Sequence, residues 1–189
     1  MNRYEPDGSN KRNSSDIFTF DCFTKKQVKE INRKIKENII QGEDPSLPSS
    51  PSSKIGKFSH VPCAPLFELL RPWLYQCQLV NRNMFGYDVY WDFHIEVLNY
   101  NEYGKNGGYE WHVDVQSDNT YDLKLTCLLN LSEEPYEGGD FYTINSNEKQ
   151  KLTSGMGLVF NSLIAHKVTP VTKGERTSLT YWASGPAWK

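Results

Sequence analysis

The chain has only four cysteines in 189 residues, Cys22, Cys63, Cys77 and Cys127, and no two of them form a Cys-x-x-Cys pair. No disulfide framework or cysteine metal site is recognisable in that spacing, and a reducing cytoplasm is the expected setting. Also missing is any apolar run long enough to cross a bilayer, and the stretch from Met1 to Asn13 is too polar for a signal peptide. No membrane association is expected. Basic residues form no block outside the first helical segment, the formal net charge is −2, and the sequence pI is about 6.1. The electrostatic footprint of a nucleic-acid binder is therefore absent, and DNA or RNA is a disfavoured substrate.

What the chain does have is 13% aromatic residues, with β-branched and aromatic runs dominating after Phe85. The length suits a single domain, 1–189, that buries a sizeable core without disulfide staples. Residues 1–80 read as helical support with a Ser/Pro-rich loop, and 81–189 as a β core. Thr24-Lys25-Lys26-Gln27 has the form of a capping box, and Val28, Ile31, Ile35 and Ile39 recur at helical spacing, so a helix is predicted over about 25–37. The stretch 41–57, with Pro45, Pro48 and Pro51, reads as a loop or a flap over the site. A second helix is predicted over about 64–77.

Chemistry enters at Tyr109-Glu110-Trp111-His112-Val113-Asp114. Side chains alternate along a strand, so His112 and Asp114 would share one face and could hold one metal ion. Downstream, Leu158-Val159-Phe160 reads as a buried strand, 161–165 as a tight connection, and His166 opens another extended run. If that run passes alongside, His166 completes a two-histidine, one-carboxylate set with about three of six octahedral positions open, the pattern of non-haem Fe(II) oxygenases. Arg176, Ser178, Thr180 and Trp182 alternate and would share one face of a final strand. Leu179 and Tyr181 fill the other face, so neither side is plainly solvated.

These pieces occur together with Tyr103-Gly104, with Leu125 to Ser132 leading into Tyr136-Glu137-Gly138-Gly139-Asp140-Phe141, and with Gly174-Glu175-Arg176-Thr177-Ser178 before a closing Gly185-Pro186. In that order, from about Trp91 onward, the chain resembles the 2-oxoglutarate- and Fe(II)-dependent dioxygenases of the prolyl 4-hydroxylase-like group, especially the compact bacterial and phage forms. The resemblance implies a double-stranded β-helix, a jelly-roll of two antiparallel sheets with helices packed on one sheet. It implies His112, Asp114 and His166 as iron ligands, and Arg176 as the cation for the distal carboxylate of 2-oxoglutarate. A guanidinium grips a carboxylate through two parallel hydrogen bonds, as a lysine does not. Ser178 resembles the partner of that arginine in some relatives, although a plain polar strand residue is an equal reading. Tyr103 matches a tyrosine that donates to the cosubstrate, with Tyr100 and Tyr109 as competitors. Asn130 stands where some relatives have a cosubstrate-touching tyrosine, Trp182 matches a wall near the metal, and Thr180 a supporting hydroxyl. Gly138-Gly139 reads as a turn or bulge.

The implied reaction is hydroxylation of a C–H bond with O2 as co-reactant, release of succinate and CO2, and ascorbate as an optional reductant. A prolyl residue of a peptide or protein is the favoured substrate; a free amino acid or small metabolite is the alternative. Asp114 favours hydroxylation over halogenation, since related halogenases lack that carboxylate. The segment 81–91 and the loop at Lys105-Asn106 are expected to frame the substrate entrance. A non-catalytic jelly-roll binding module is a reading of another class, against which the full set of His112, Asp114, His166 and Arg176 speaks.

Overall fold

The computed structural model describes residues 17–43, 54–90, 97–115, 122–146, 148–150 and 152–188. Most of the Ser/Pro-rich stretch, residues 44–53, and the segment 91–96 lie outside the described residues. The expected capping box is present: the Gln27 backbone N–H donates to Thr24 Oγ1 (3.4 Å) and the Thr24 N–H to Gln27 Oε1 (3.0 Å). It starts helix α1 (Lys25–Lys36), whose Val28, Ile31 and Ile35 are buried as their spacing requires. A 3-10 turn, Ala64–Leu66, leads into α2 (Phe67–Val80) and a π turn, Asn81–Phe85. The helix runs beyond the predicted end at Cys77 because nothing from Gln78 to Val80 breaks it. The left-handed Gly86 (φ +70) then stops the π turn.

A seven-stranded sheet has the order β1-β10-β7-β13-β5-β4-β2, and its pairs are antiparallel. The strands are β1 (Ile17–Asp21), β2 (Gln41–Glu43), β4 (Lys57–Pro62), β5 (Val97–Tyr103), β7 (Leu123–Asn130), β10 (Met156–Asn161) and β13 (Arg176–Ser184). A smaller sheet has the order β3-β6-β11-β9, made of β3 (Lys54–Ile55), β6 (Gly108–His112), β9 (Phe141–Thr143) and β11 (His166–Val168). Between them in sequence, β8 (Glu137–Gly138) pairs with β12 (Val171–Lys173). This is the expected mainly-β jelly-roll with helices on one sheet.

Alternation along β7 and β13 explains how the sheet is filled. Leu125, Cys127, Leu129, Leu179, Tyr181 and Ala183 point to the helices and join Val28, Ile31, Leu70 and Trp73 in one apolar core. The intervening Thr126, Leu128, Arg176, Ser178, Thr180 and Trp182 point the other way and line the cavity between the sheets. Both faces of the final strand are thus occupied, as its sequence implied. A smaller apolar cluster, Leu128, Phe141, Leu158, Phe160 and Val168, closes the inside of the barrel beside that cavity.

Leu129, fully buried on the helix side, couples the site-bearing strand to its support. Leu129→Ala is expected to destabilise the protein by about 2–5 kcal/mol, read as a lower urea midpoint with an unchanged slope; a loss under about 1 kcal/mol would contradict this packing.

Candidate active site

The centre is a cross-strand pair. His166, first residue of β11, lies directly opposite His112, last residue of β6. Along the ladder the next pair is Val168 with Tyr109, so two steps on β11 match three on β6. That extra residue is a β-bulge. It turns both Tyr109 and His112 into the cavity and leaves Glu110 and Trp111 exposed. Tyr109 then stacks on the His112 ring, with centroids 3.4 Å apart and planes 15° from parallel.

Asp114 reaches the same point by another route than simple strand alternation, because β6 ends at His112. Its backbone N–H donates to Ser162 O (3.2 Å), which pins the turn against the chain that leads into β11. The carboxylate sits between the imidazoles, with Oδ1 3.8 Å from His112 Nε2 and Oδ2 3.8 Å from His166 Nε2. Ligand atoms of all three residues lie within 4.8 Å of one another. Thr126 Oγ1 donates to Asp114 Oδ2 (2.5 Å) and lies 3.0 Å from Ser162 Oγ.

The tautomers suit a metal. His112 Nδ1 lies 2.7 Å from Glu110 O and His166 Nδ1 2.9 Å from Ile164 O. A carbonyl only accepts, so each Nδ1 carries the proton and each Nε2 lone pair faces inward. Burial, with the neighbouring imidazole as second cause, lowers the His112 pKa to about 4. Burial also lowers that of His166, against the pull of Asp114. Both rings are therefore neutral at ordinary pH, as a metal ligand must be. Two inward nitrogens and one carboxylate fit Fe(II).

A cavity of about 40 Å³ leads from this triad. At its other end Arg176, 2% exposed, opens β13 opposite Tyr103, the last residue of β5. Its guanidinium lies 5.4 Å from the Tyr103 ring centroid, and Nη1 donates to Ser178 Oγ (3.3 Å). Among the described residues no carboxylate pairs with it. Burying a guanidinium without a counter-ion costs several kcal/mol, so this end of the cavity fits an anion, the distal carboxylate of 2-oxoglutarate among them. Burial pushes the Tyr103 phenol up to about 12, opposed by Arg176; it is a protonated donor at neutral pH, with no hydrogen-bond acceptor among the described residues.

The structure separates the competing tyrosines. Tyr103 and Tyr109 line the cavity, whereas Tyr100 faces the helices and donates to Asn32 Oδ1 (3.2 Å). Thr180 lines the cavity and accepts from Asn101 Nδ2 (3.1 Å). Trp182 forms the wall beside Thr126, its cross-strand partner, with a buried indole N–H that meets no acceptor among the described residues. Asn130 is placed elsewhere. Its amide donates to Leu152 O (2.9 Å) and Tyr136 Oη (3.4 Å) and accepts from the Ser132 N–H (3.0 Å), so it ties the end of β7 to a loop and does not line the cavity.

The turn at Lys105-Asn106 follows Tyr103 directly, so it lies at the Arg176 end, with β6 separating it from His112. Tyr87, within 81–90, does reach the metal end: Asn161 Nδ2 donates to its Oη (2.7 Å). Trp91 lies outside the described residues. Gly138 and Gly139 have φ of +72 and +60, as a glycine turn requires, and a Cβ on Gly139 would stand 2.9 Å from Arg176 Cδ. Sequence reasoning missed three contributors. The bulge has no local signature, Thr126 is legible only as a polar residue on an inward face, and Lys54 enters the cavity wall from the edge strand β3.

The profile described as 2OG-Fe(II) oxygenase superfamily matches residues 98–184, the span holding the triad and Arg176. A PKHD-type hydroxylase of Alteromonas mediterranea is 40% identical over 63 residues, which is 32% of this chain and 27% of that protein. The chain thus matches about a quarter of that relative's length. The viral collagen prolyl hydroxylase of Paramecium Bursaria Chlorella virus-1, solved as a 2OG complex, superposes with a TM-score of 0.69 over 91% of this chain and 97% of its own at 17% identity. A prolyl hydroxylase from Trichoplax adhaerens, solved with a hypoxia inducible factor peptide fragment, gives 0.66 over 92% and 85% at 15% identity. At these identities the solved structures speak for the fold.

Thr126 holds Asp114 in place, so Thr126→Val is expected to weaken Mn(II) or Fe(II) binding by roughly 10–100-fold with the fold intact. Anaerobic titration calorimetry reads this, and unchanged affinity would show that Asp114 needs no such support.

Proposed function

We propose that this chain, a prolyl-hydroxylase-like member of the 2OG-Fe(II) oxygenase superfamily through its residues 98–184, hydroxylates a C–H bond, most favourably on a prolyl residue of a peptide or protein. The observation that carries the reading is one cavity with two unlike ends: three inward-facing ligand atoms at one, a buried arginine at the other. A passive binding module needs only one of these. Bound there, Fe(II) and 2-oxoglutarate would supply, with O2, the oxidising power for inserting one oxygen atom into a C–H bond, with succinate and CO2 as the accompanying products.

The chain's own part is binding, orientation and exclusion of water. His112, Asp114 and His166 would hold the metal on one side only, leaving the cavity side for ligands. Arg176 would take the distal carboxylate of the cosubstrate, with Ser178 holding one guanidinium nitrogen and Tyr103 adding a phenolic donor. Phe141, Phe160 and Leu128 keep the wall around His166 apolar. Fixing both ends of the cosubstrate at once is how such a site spends binding energy on orientation. The carboxylate at position 114 supports hydroxylation over halogenation. The names of the relatives, and the peptide held by the Trichoplax enzyme, support a peptide or protein substrate. Free proline and other small metabolites are the alternative.

Succinate release screened against proline-containing peptides and free proline, with mass spectrometry for one added oxygen atom, tests the substrate. A gain of oxygen on a prolyl ring is expected; oxygen on another residue, or on none, would refute the prolyl assignment. Arg176→Ala is expected to raise the Kd for 2-oxoglutarate by about 100-fold while metal affinity stays level. Equal losses of both would remove Arg176 from its role.

A further inference from the structure

The Trp182 indole carries a hydrogen-bond donor that the fold leaves unused. Its Nε1 is buried and meets no acceptor among the described residues, and its side chain forms part of the cavity wall. An indole N–H can only donate, and a buried donor left unpaired is costly to the fold. A ligand that brings an acceptor removes that cost. Alternation along β13 puts Arg176, Ser178, Thr180 and Trp182 on the cavity face in that order, so guanidinium and indole stand at the two ends of one row. Trp182 pairs across the sheet with Thr126, whose hydroxyl donates to Asp114. The indole is therefore level with the metal ligands, at the end of the row away from Arg176.

The cosubstrate has no call on this donor. Its distal carboxylate falls to Arg176, with Ser178 and Tyr103 beside it, and its other end to the metal, so it approaches from the Arg176 side of the row. The neighbouring hydroxyls are already engaged: Thr126 with Asp114 and Ser162, and Thr180 with the Asn101 amide. What remains to use the indole N–H is the substrate. A prolyl residue within a chain has no backbone N–H, so the carbonyl oxygens on either side of its ring are the polar handles by which a site can fix it. We propose that Trp182 is a specificity-determining residue, whose N–H donates to one of these carbonyl oxygens and so sets which C–H bond of the ring is turned to the metal. This inference rests on the prolyl reading of the site. A directional bond at the metal end complements the apolar wall of Leu128, Phe141 and Phe160, which gives a ring a place but no orientation.

The test is nuclear magnetic resonance on the full chain, labelled with nitrogen-15 in tryptophan and loaded with redox-inert Zn(II) and 2-oxoglutarate. The Trp182 indole signal is assigned through its Overhauser contacts to Thr126. The probe is N-acetyl-glycyl-prolyl-glycinamide, with two analogues in which sulfur, a weaker acceptor, replaces the carbonyl oxygen on one or the other side of the ring. The oxygen probe is expected to move the Trp182 indole proton downfield in a saturable way. One sulfur analogue should move it less and bind about fivefold or more weakly, which identifies the carbonyl. Trp182→Phe, which keeps an aromatic wall and loses the donor, should make that analogue and the oxygen probe bind alike while 2-oxoglutarate affinity changes by less than about threefold. Should that variant not fold, the sulfur analogues on the unaltered protein decide. An indole proton that stays put while other signals report probe binding would overturn the inference and leave the prolyl reading standing. So would an indole proton moved to its final position by 2-oxoglutarate alone. Failure of the oxygen probe to bind would overturn both.

Discussion

The antiparallel pairing of β11 with β6 is the constraint on which the rest depends. It sets His166 opposite His112, and a slip of one residue would turn His166 out of the cavity. Strands this short do not hold register by their ladder alone. Three features fix it: the bulge at Glu110-Trp111, the turn bond from Asp114 to Ser162, and the pairing of His166 with Thr143 on β9. Gly108 matters here as well, since a Cβ there would stand 2.8 Å from Val168 O and push the strands apart. The same pairing sets the imidazole tautomers, because each ring leans back on a carbonyl two residues before it.

Against this small sheet the large one serves as a rigid wall with two unlike faces. The helix-facing residues of β7 and β13 supply the apolar burial that stabilises the fold. The cavity-facing residues spend some of that stability on chemistry, most visibly in Arg176, a permanent charge buried without an acidic partner among the described residues. Such a group is unfavourable until an anion arrives. Its cost to the fold and its affinity for a carboxylate have the same origin.

Much of this was legible in the sequence wherever a periodic pattern carried it. The capping box and the 28, 31, 35 spacing placed α1, and strict alternation from Arg176 to Trp182 gave the cavity face of β13. The motif order pointed to the triad before any coordinate did. Legibility ended where geometry departs from regular periods. Asp114 joins the site from beyond the strand end, Tyr109 does so through a bulge, and Lys54 does so from a two-residue edge strand that no local pattern announces. Asn130 shows the converse: its position in the motif matched a cosubstrate contact, yet its amide is taken up by Leu152, Tyr136 and Ser132. The Lys105-Asn106 turn, expected to help frame the substrate entrance, follows Tyr103 and so lies at the Arg176 end of the cavity.

The central claim is that one cavity binds Fe(II) at the His112, Asp114, His166 end and 2-oxoglutarate across to Arg176. Anaerobic addition of 2-oxoglutarate to the Fe(II)-loaded protein, followed by visible absorption, tests it most directly. The account predicts a weak charge-transfer band that saturates at equimolar cosubstrate and, in Arg176→Ala, only at a large excess of it. A folded, iron-loaded protein that develops no band would contradict it.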